Sequence, residues 1–139
     1  MKEIINKRLK FNKAFNLPVA NKPTSINLER AKLQFEMMKE ELEEYQLAQS
    51  RDKVSLIEVA DSLIDMQEIL LGIFAEHGML SKIEQLYNEV HRSNMSKLDD
   101  NGKPIINGEN GVLDKTRPLG KVIKSKNFSE PNFAEILNN

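Results

Sequence analysis

Two amphipathic runs separated by a four-residue break constrain this chain more than any other feature. Residues 28–49 carry Leu28, Ala31, Phe35, Met38, Leu42 and Tyr45 at heptad-like spacing, and residues 54–77 carry Leu56, Val59, Ala60, Leu63, Met66, Leu70 and Phe74. Ile57, Ile64 and Leu71 widen the second stripe. Apolar residues at that period specify helices. The break at Ser50–Lys53 is short enough to make the two helices antiparallel neighbours. A first helix within residues 1–17 is expected to stop before Pro18, since the residue before proline disfavours helix. Residues 18–26 read as a loop, with Asn27 or Ser25 as the next cap. A fourth helix is expected over 81–95, with Ile83, Leu86, Tyr87 and Val90 inward. His77-Gly78 reads as a helix end with glycine beyond it.

After Leu98 the character changes. Asp-Asp-Asn-Gly-Lys-Pro and two further Asn-Gly pairs mark turns, Val112–Leu113 and Lys121–Lys124 could pair as short strands, and Phe133–Leu137 could form a last turn. The expectation is an all-α four-helix bundle with an irregular C-terminal tail. It divides into a helical domain at 1–97 and a turn-rich segment at 98–139 that packs on the same domain or on a partner subunit. The wide apolar arcs exceed what one four-helix core needs, so a homodimer or homotetramer is expected.

Composition removes whole classes of chemistry. The 139 residues include no cysteine and two histidines, so thiolate nucleophiles, zinc knuckles and three-histidine metal sites are excluded. The longest apolar run, Ile69 to Ala75, is too short to span a bilayer, and the N-terminus lacks a signal-peptide core. A cytoplasmic protein is expected.

The net charge of −1 conceals an uneven distribution. Residues 40–81 hold ten acids and two bases, and from Val54 to Ser81 there is no Lys or Arg. Like charges at i,i+4 repel, so a one-sign stretch needs a reason. Helical geometry puts Glu41 and Glu44 on a flank of the apolar seam and Glu40 and Glu43 on the open side. Glu58, Asp61 and Asp65 form one stripe on the next helix. A plain solvated face is the ordinary account of such a stripe. Against it stand the missing basic neighbours and the matching pair on the facing helix. Four close carboxylates cannot all stay ionised without cations, and all-oxygen ligation suits Mg²⁺ or Mn²⁺. The Glu-x-x-His pattern of helical di-iron sites is absent, as are an EF-hand loop and a GxxxxGK[ST] phosphate loop.

Asn94 and Lys97 share a helix face and could hold a phosphate and a sugar, although helix-end chemistry explains them equally well. Lys121, Lys124 and Lys126 could close over phosphates. Phe11, Phe15, Phe35, Tyr45 and Tyr87 read as core rather than base-stacking platforms. Nothing organises the basic excess into a nucleic-acid site.

Glu40-Glu41-Leu42-Glu43-Glu44, thirteen residues, then Glu58-Val59-Ala60-Asp61 resembles the EExxE…ExxD signature of the all-α nucleoside triphosphate pyrophosphohydrolases, the MazG-like enzymes and phosphoribosyl-ATP pyrophosphohydrolase among them. The run from His91 to Leu98 and the Lys121-to-Pro131 segment look like a MazG-like subgroup with such a tail. The resemblance implies that Glu41, Glu44, Glu58 and Asp61 bind Mg²⁺ and that Glu41 or Glu44 orients or deprotonates a water. It further implies that Asn94 and Lys97 contact a (deoxy)nucleoside triphosphate, hydrolysed to monophosphate and pyrophosphate. Ser55 stands where those enzymes usually carry lysine, leaving Lys53 or Lys124 for its phosphate role. Asp65 is an extra acid one turn beyond Asp61, as a ligand or a supporting group. Phosphoribosyl-ATP as substrate, or a non-catalytic helical oligomerisation or adaptor domain, are the alternatives.

Overall fold

A computed structural model describes residues 1–138. It is mostly helical: α1 (Lys2–Ala14), α2 (Leu28–Gln49), α3 (Leu56–Glu76) and α4 (Ile83–Met95) are the long elements. A two-stranded antiparallel ladder of β1 (Ile105–Ile106) and β2 (Val122–Ile123) and a short α5 (Ala134–Asn138) follow. The all-α expectation holds. The strand expected at Val112–Leu113 is instead irregular chain, and Ile105–Ile106 pairs with β2.

The chain forms two compact units, Met1–Ser81 and a second from Lys82 onward. Composition had placed the division at 97/98, where turn residues begin. The contacts place it earlier because α4 is bound to the tail. Arg92 donates to Ser129 Oγ and the Glu130 carbonyl, and the Asn132 amide donates to Glu89 Oε1 at 2.7 Å. The Arg92 guanidinium, and then the Asn132 amide, hold the Glu89 carboxyl at a pKa of about 2. Within the tail, buried Asn107 ties one loop together, accepting from the Asp114 amide and donating to three carbonyls, those of Asp114, Arg117 and Pro118.

In the first unit, Asn27 caps α2 by accepting from the Arg30 amide at 2.9 Å. Gly78, at φ +67°, turns the chain at the end of α3, where a side chain would meet the Lys22 backbone. Helix α1 stops at Ala14, before the expected limit at Pro18, because Asn16 takes a left-handed conformation (φ 54°). Its inward face is polar. Arg8 lies over Gly72 and donates to Glu68 at 3.3 Å, and Asn12 donates to the Pro18 carbonyl. A Cβ at Gly72 would collide with the Arg8 guanidinium.

Helices α2 and α3 run antiparallel. Arg30 and Gln34, early in α2, bond Glu76 at the end of α3, while Glu44 and Ala48 face Glu58, Asp61 and Ser62 near its start. The expected apolar seams are the packed faces only in part: Ala31, Met38 and Tyr45 on α2 are half-buried, as are Val59, Met66 and Phe74 on α3, and Leu71 is buried. Leu28, Phe35 and Leu42 are exposed, as are Leu56, Leu63, Leu70, Ile57 and Ile64. The inward line of α2 is Ala31, Gln34, Met38, Glu41, Tyr45 and Ala48, and on α3 Ser62, Ile69, Gly72, Ala75 and Glu76 are buried. On α4 likewise, Tyr87 and Val90 stay exposed instead of turning inward. Among the described residues, no helix is long and apolar enough to cross a membrane.

Candidate functional site

The end of the hairpin formed by α2 and α3 opens into a cleft of about 260 Å³. Its polar wall is Glu44, Arg51, Glu58, Asp61 and Ser62, over Leu47 and Ala48. Local sequence explains the wall. Ser55 begins α3, its Oγ accepting from the Glu58 amide at 3.4 Å, so the residue standing in place of a lysine acts as a helix cap. One turn later Ser62 bonds the Glu58 carbonyl at 2.8 Å.

Glu41 lies one turn before Glu44 on α2. Its Oε2 is buried and has no hydrogen-bond partner. Burial first, and then the charges of Glu44, Asp65, Glu40 and Asp61, push its carboxyl above the ordinary range. Glu40 and Glu43 are exposed, and Lys39 lies 3.7 Å from Glu43. Glu44 is exposed too but lines the cleft, so burial sets apart Glu41 alone.

Arginines neutralise part of the acidic run. Glu68 pairs with Arg8, Glu76 with Arg30 and Glu58 with Arg51. Glu41, Glu44, Asp61 and Asp65 have no basic partner among the described residues. These side chains do not form a ready cage: among the described residues no three acids or histidines converge at metal-binding distance. The donor set is nonetheless that of a hard divalent cation, with oxygens only and one carboxylate oxygen buried without a partner.

The remaining candidates lie in the second unit. Lys97 donates to Asn94 Oδ1 at 2.6 Å, so the two expected neighbours do share a face. Lys124 pairs with Glu130 at 2.8 Å and covers the Phe128 ring at 3.9 Å. Lys53 is exposed in the connection between α2 and α3. Arg51 carries no role in the sequence reading beyond its place in the charge count. Its position between two acidic helices was the available signal.

The unit is all-α, and its antiparallel helices α2 and α3 end in a cleft lined by carboxylates and one arginine. The chain belongs to the phosphoribosyl-ATP pyrophosphohydrolase family, PRA-PH, whose model matches residues 9–94. That stretch covers the second half of α1, all of α2 and α3 and nearly all of α4, and it includes every acid of the cleft. The family implies nucleotide pyrophosphohydrolase activity, as the resemblance led one to expect. The tail beyond Asn94 lies outside the matched residues. No curated protein matches the chain.

Proposed function

We propose that the protein is a Mg²⁺-dependent pyrophosphohydrolase that cleaves (deoxy)nucleoside triphosphates between the α and β phosphates. The observation that carries this reading is the buried, unpartnered Oε2 of Glu41, raised in pKa beside Glu44, Asp61 and Asp65. A carboxylate so placed gains a partner when a cation arrives, and Glu41, Glu44, Glu58 and Asp61 are the residues that would hold it. Mg²⁺, or Mn²⁺ in its place, would neutralise the polyphosphate and acidify a water. Glu41 or Glu44 would orient a water and take its proton. The oxygen attacks the α phosphorus, the bond to the bridging oxygen breaks, and its electron pair leaves with pyrophosphate. No covalent enzyme intermediate is needed, in keeping with the absence of cysteine. Asn94, Lys97 and Lys124 are retained as substrate contacts, and Asp65 as a supporting acid.

The test is product analysis over a panel of canonical and modified (d)NTPs together with phosphoribosyl-ATP, with Mg²⁺ and with EDTA. Monophosphate and pyrophosphate from a (d)NTP, lost in EDTA, is the expected result. Turnover confined to phosphoribosyl-ATP, the substrate in the family's name, would move the assignment there. No turnover of any nucleotide in either metal leaves a helical adaptor as the reading.

The partner proposed for the outer faces is a second copy of this chain. Leu28, Phe35 and Leu42 on α2, and Leu56, Leu63 and Leu70 on α3, recur every seven residues and are exposed. Heptad spacing is the pattern by which helices pack on helices. Light scattering after size exclusion should give a dimer or tetramer, and the double substitution Phe35→Glu/Leu63→Glu should give a monomer.

A further inference from the structure

The geometry points to Arg51 as a resident cation that exchanges Glu58 for the substrate's phosphates, an inference that rests on the site proposed above. Arg51 lies in the short connection between α2 and α3, outside any helix. Its contact with Glu58 is not the usual fork of two nitrogens on two oxygens. A single nitrogen, Nη1, is 2.6 Å from both Oε1 and Oε2. That places one positive group astride the carboxylate, in the seat a chelated divalent ion takes. A divalent ion and the guanidinium therefore compete for Glu58.

The competition is easily resolved. The side chains of Arg51 and Glu58 are 47% and 44% exposed, and ion pairs so solvated hold weakly. Nε and Nη2 make no hydrogen bond among the described residues, so the guanidinium is already partly uncommitted. Its flexible stem starts at the mouth of the cleft, beside Glu44 and Asp61. Once displaced from Glu58 it finds no other unclaimed anion in that wall except those the cation also neutralises. An incoming polyphosphate supplies the anion, and planar guanidinium groups match phosphate oxygens well. Arg51 thus takes the phosphate role left open by Ser55, which the cap of α3 occupies. Before substrate arrives, the same side chain keeps Glu58 from standing as an unpaired charge.

The experiment compares wild type with Arg51→Gln by two binding measurements without turnover. Mn²⁺ alone is titrated by electron paramagnetic resonance, and an α,β-imido nucleoside triphosphate is titrated by calorimetry at saturating Mg²⁺. Removing the competitor should tighten Mn²⁺ about two- to fivefold, the range a weak exposed ion pair allows. Removing the phosphate donor should weaken the analogue by roughly tenfold or more. Unchanged or weaker Mn²⁺ binding in the variant, or unchanged analogue binding, would overturn the exchange while leaving the metal site standing. A wild type that takes up no Mn²⁺ removes the metal site itself, and the exchange with it. Because Arg51 is exposed and outside the helices, equal melting temperatures of the two proteins in EDTA are expected.

Discussion

Glu44→Gln and Glu58→Gln should each lower kcat/KM by more than about a hundredfold, while Glu40→Gln and Glu43→Gln should stay within about twofold of wild type. The magnitude follows from what one carboxylate does in such a site. Losing a charged ligand or a general base removes roughly 3 kcal/mol or more of transition-state stabilisation, and each 1.36 kcal/mol is a factor of ten. The contrast follows from helix geometry. Glu44 and Glu58 line the cleft, whereas Glu40 and Glu43 project from the outer side of α2. Steady-state kinetics on the best nucleotide of the panel, with circular dichroism to establish folding, measures all four. Equal losses at the four positions would mean that net negative charge, rather than placement, is what the activity needs. Glu41→Gln adds a second readout. Its carboxyl is held above the ordinary range by burial and by like charges, so ionisation costs the folded state at neutral pH. The amide should therefore melt at a higher temperature than wild type in EDTA. As pH falls through the raised pKa, wild type should gain stability relative to the variant, because a raised carboxyl pKa means the folded protein binds the proton more readily.

Helices α2 and α3 were readable because they carry local signals: Asn27 as a cap, His77-Gly78 at the end of α3, and apolar residues at helical period. The facing of those helices was readable only in part. Ranking by hydrophobicity puts Leu28, Phe35, Leu42 and Leu63 inside, yet these are exposed and Gln34, Ser62 and Gly72 are buried. Hydrophobicity says that a side chain will be covered, not by which surface. Angular reasoning fared better with the glutamates, because it needs only the period and not a choice of core. It set Glu41 and Glu44 apart from Glu40 and Glu43, and Glu41 does sit on the inward line. Charge counting was blind in a different way. Arg8 and Arg30 lie far from the acidic run in sequence, yet they neutralise Glu68 and Glu76 within it. The run is therefore less a single negative field than a cleft with few unpaired acids beside several structural ion pairs.

Glu76→Ala should be the most destabilising single change in the helical unit, lowering stability by about 3 kcal/mol and the melting temperature by roughly 10 °C. The Glu76 side chain is 2% exposed. Arg30 reaches it through both Nε, at 3.1 Å, and Nη2, and Gln34 donates to Oε1 at 2.6 Å. Truncation removes the acceptor and leaves the buried Gln34 amide and a guanidinium facing a void. Arg30 is 29% exposed and can recover some hydration, so the loss falls at the lower end of what breaking a buried pair costs. Against a total of about 5–15 kcal/mol for a domain, that is a substantial fraction. Glu76→Gln should cost less, since it keeps the volume and one acceptor while losing the charge. Thermal melts at low and high salt separate this pair from the surface ones. Screening acts weakly on buried charge, so the difference between wild type and Glu76→Ala should persist at 1 M salt. A difference that vanishes with salt would make the Arg30–Glu76 contact a surface ion pair. The pair closes one end of the α2–α3 hairpin, and the cleft lies at the other. Activity per folded molecule, measured well below the variant's melting temperature, should therefore survive the loss of Glu76, where it does not survive the loss of Glu44.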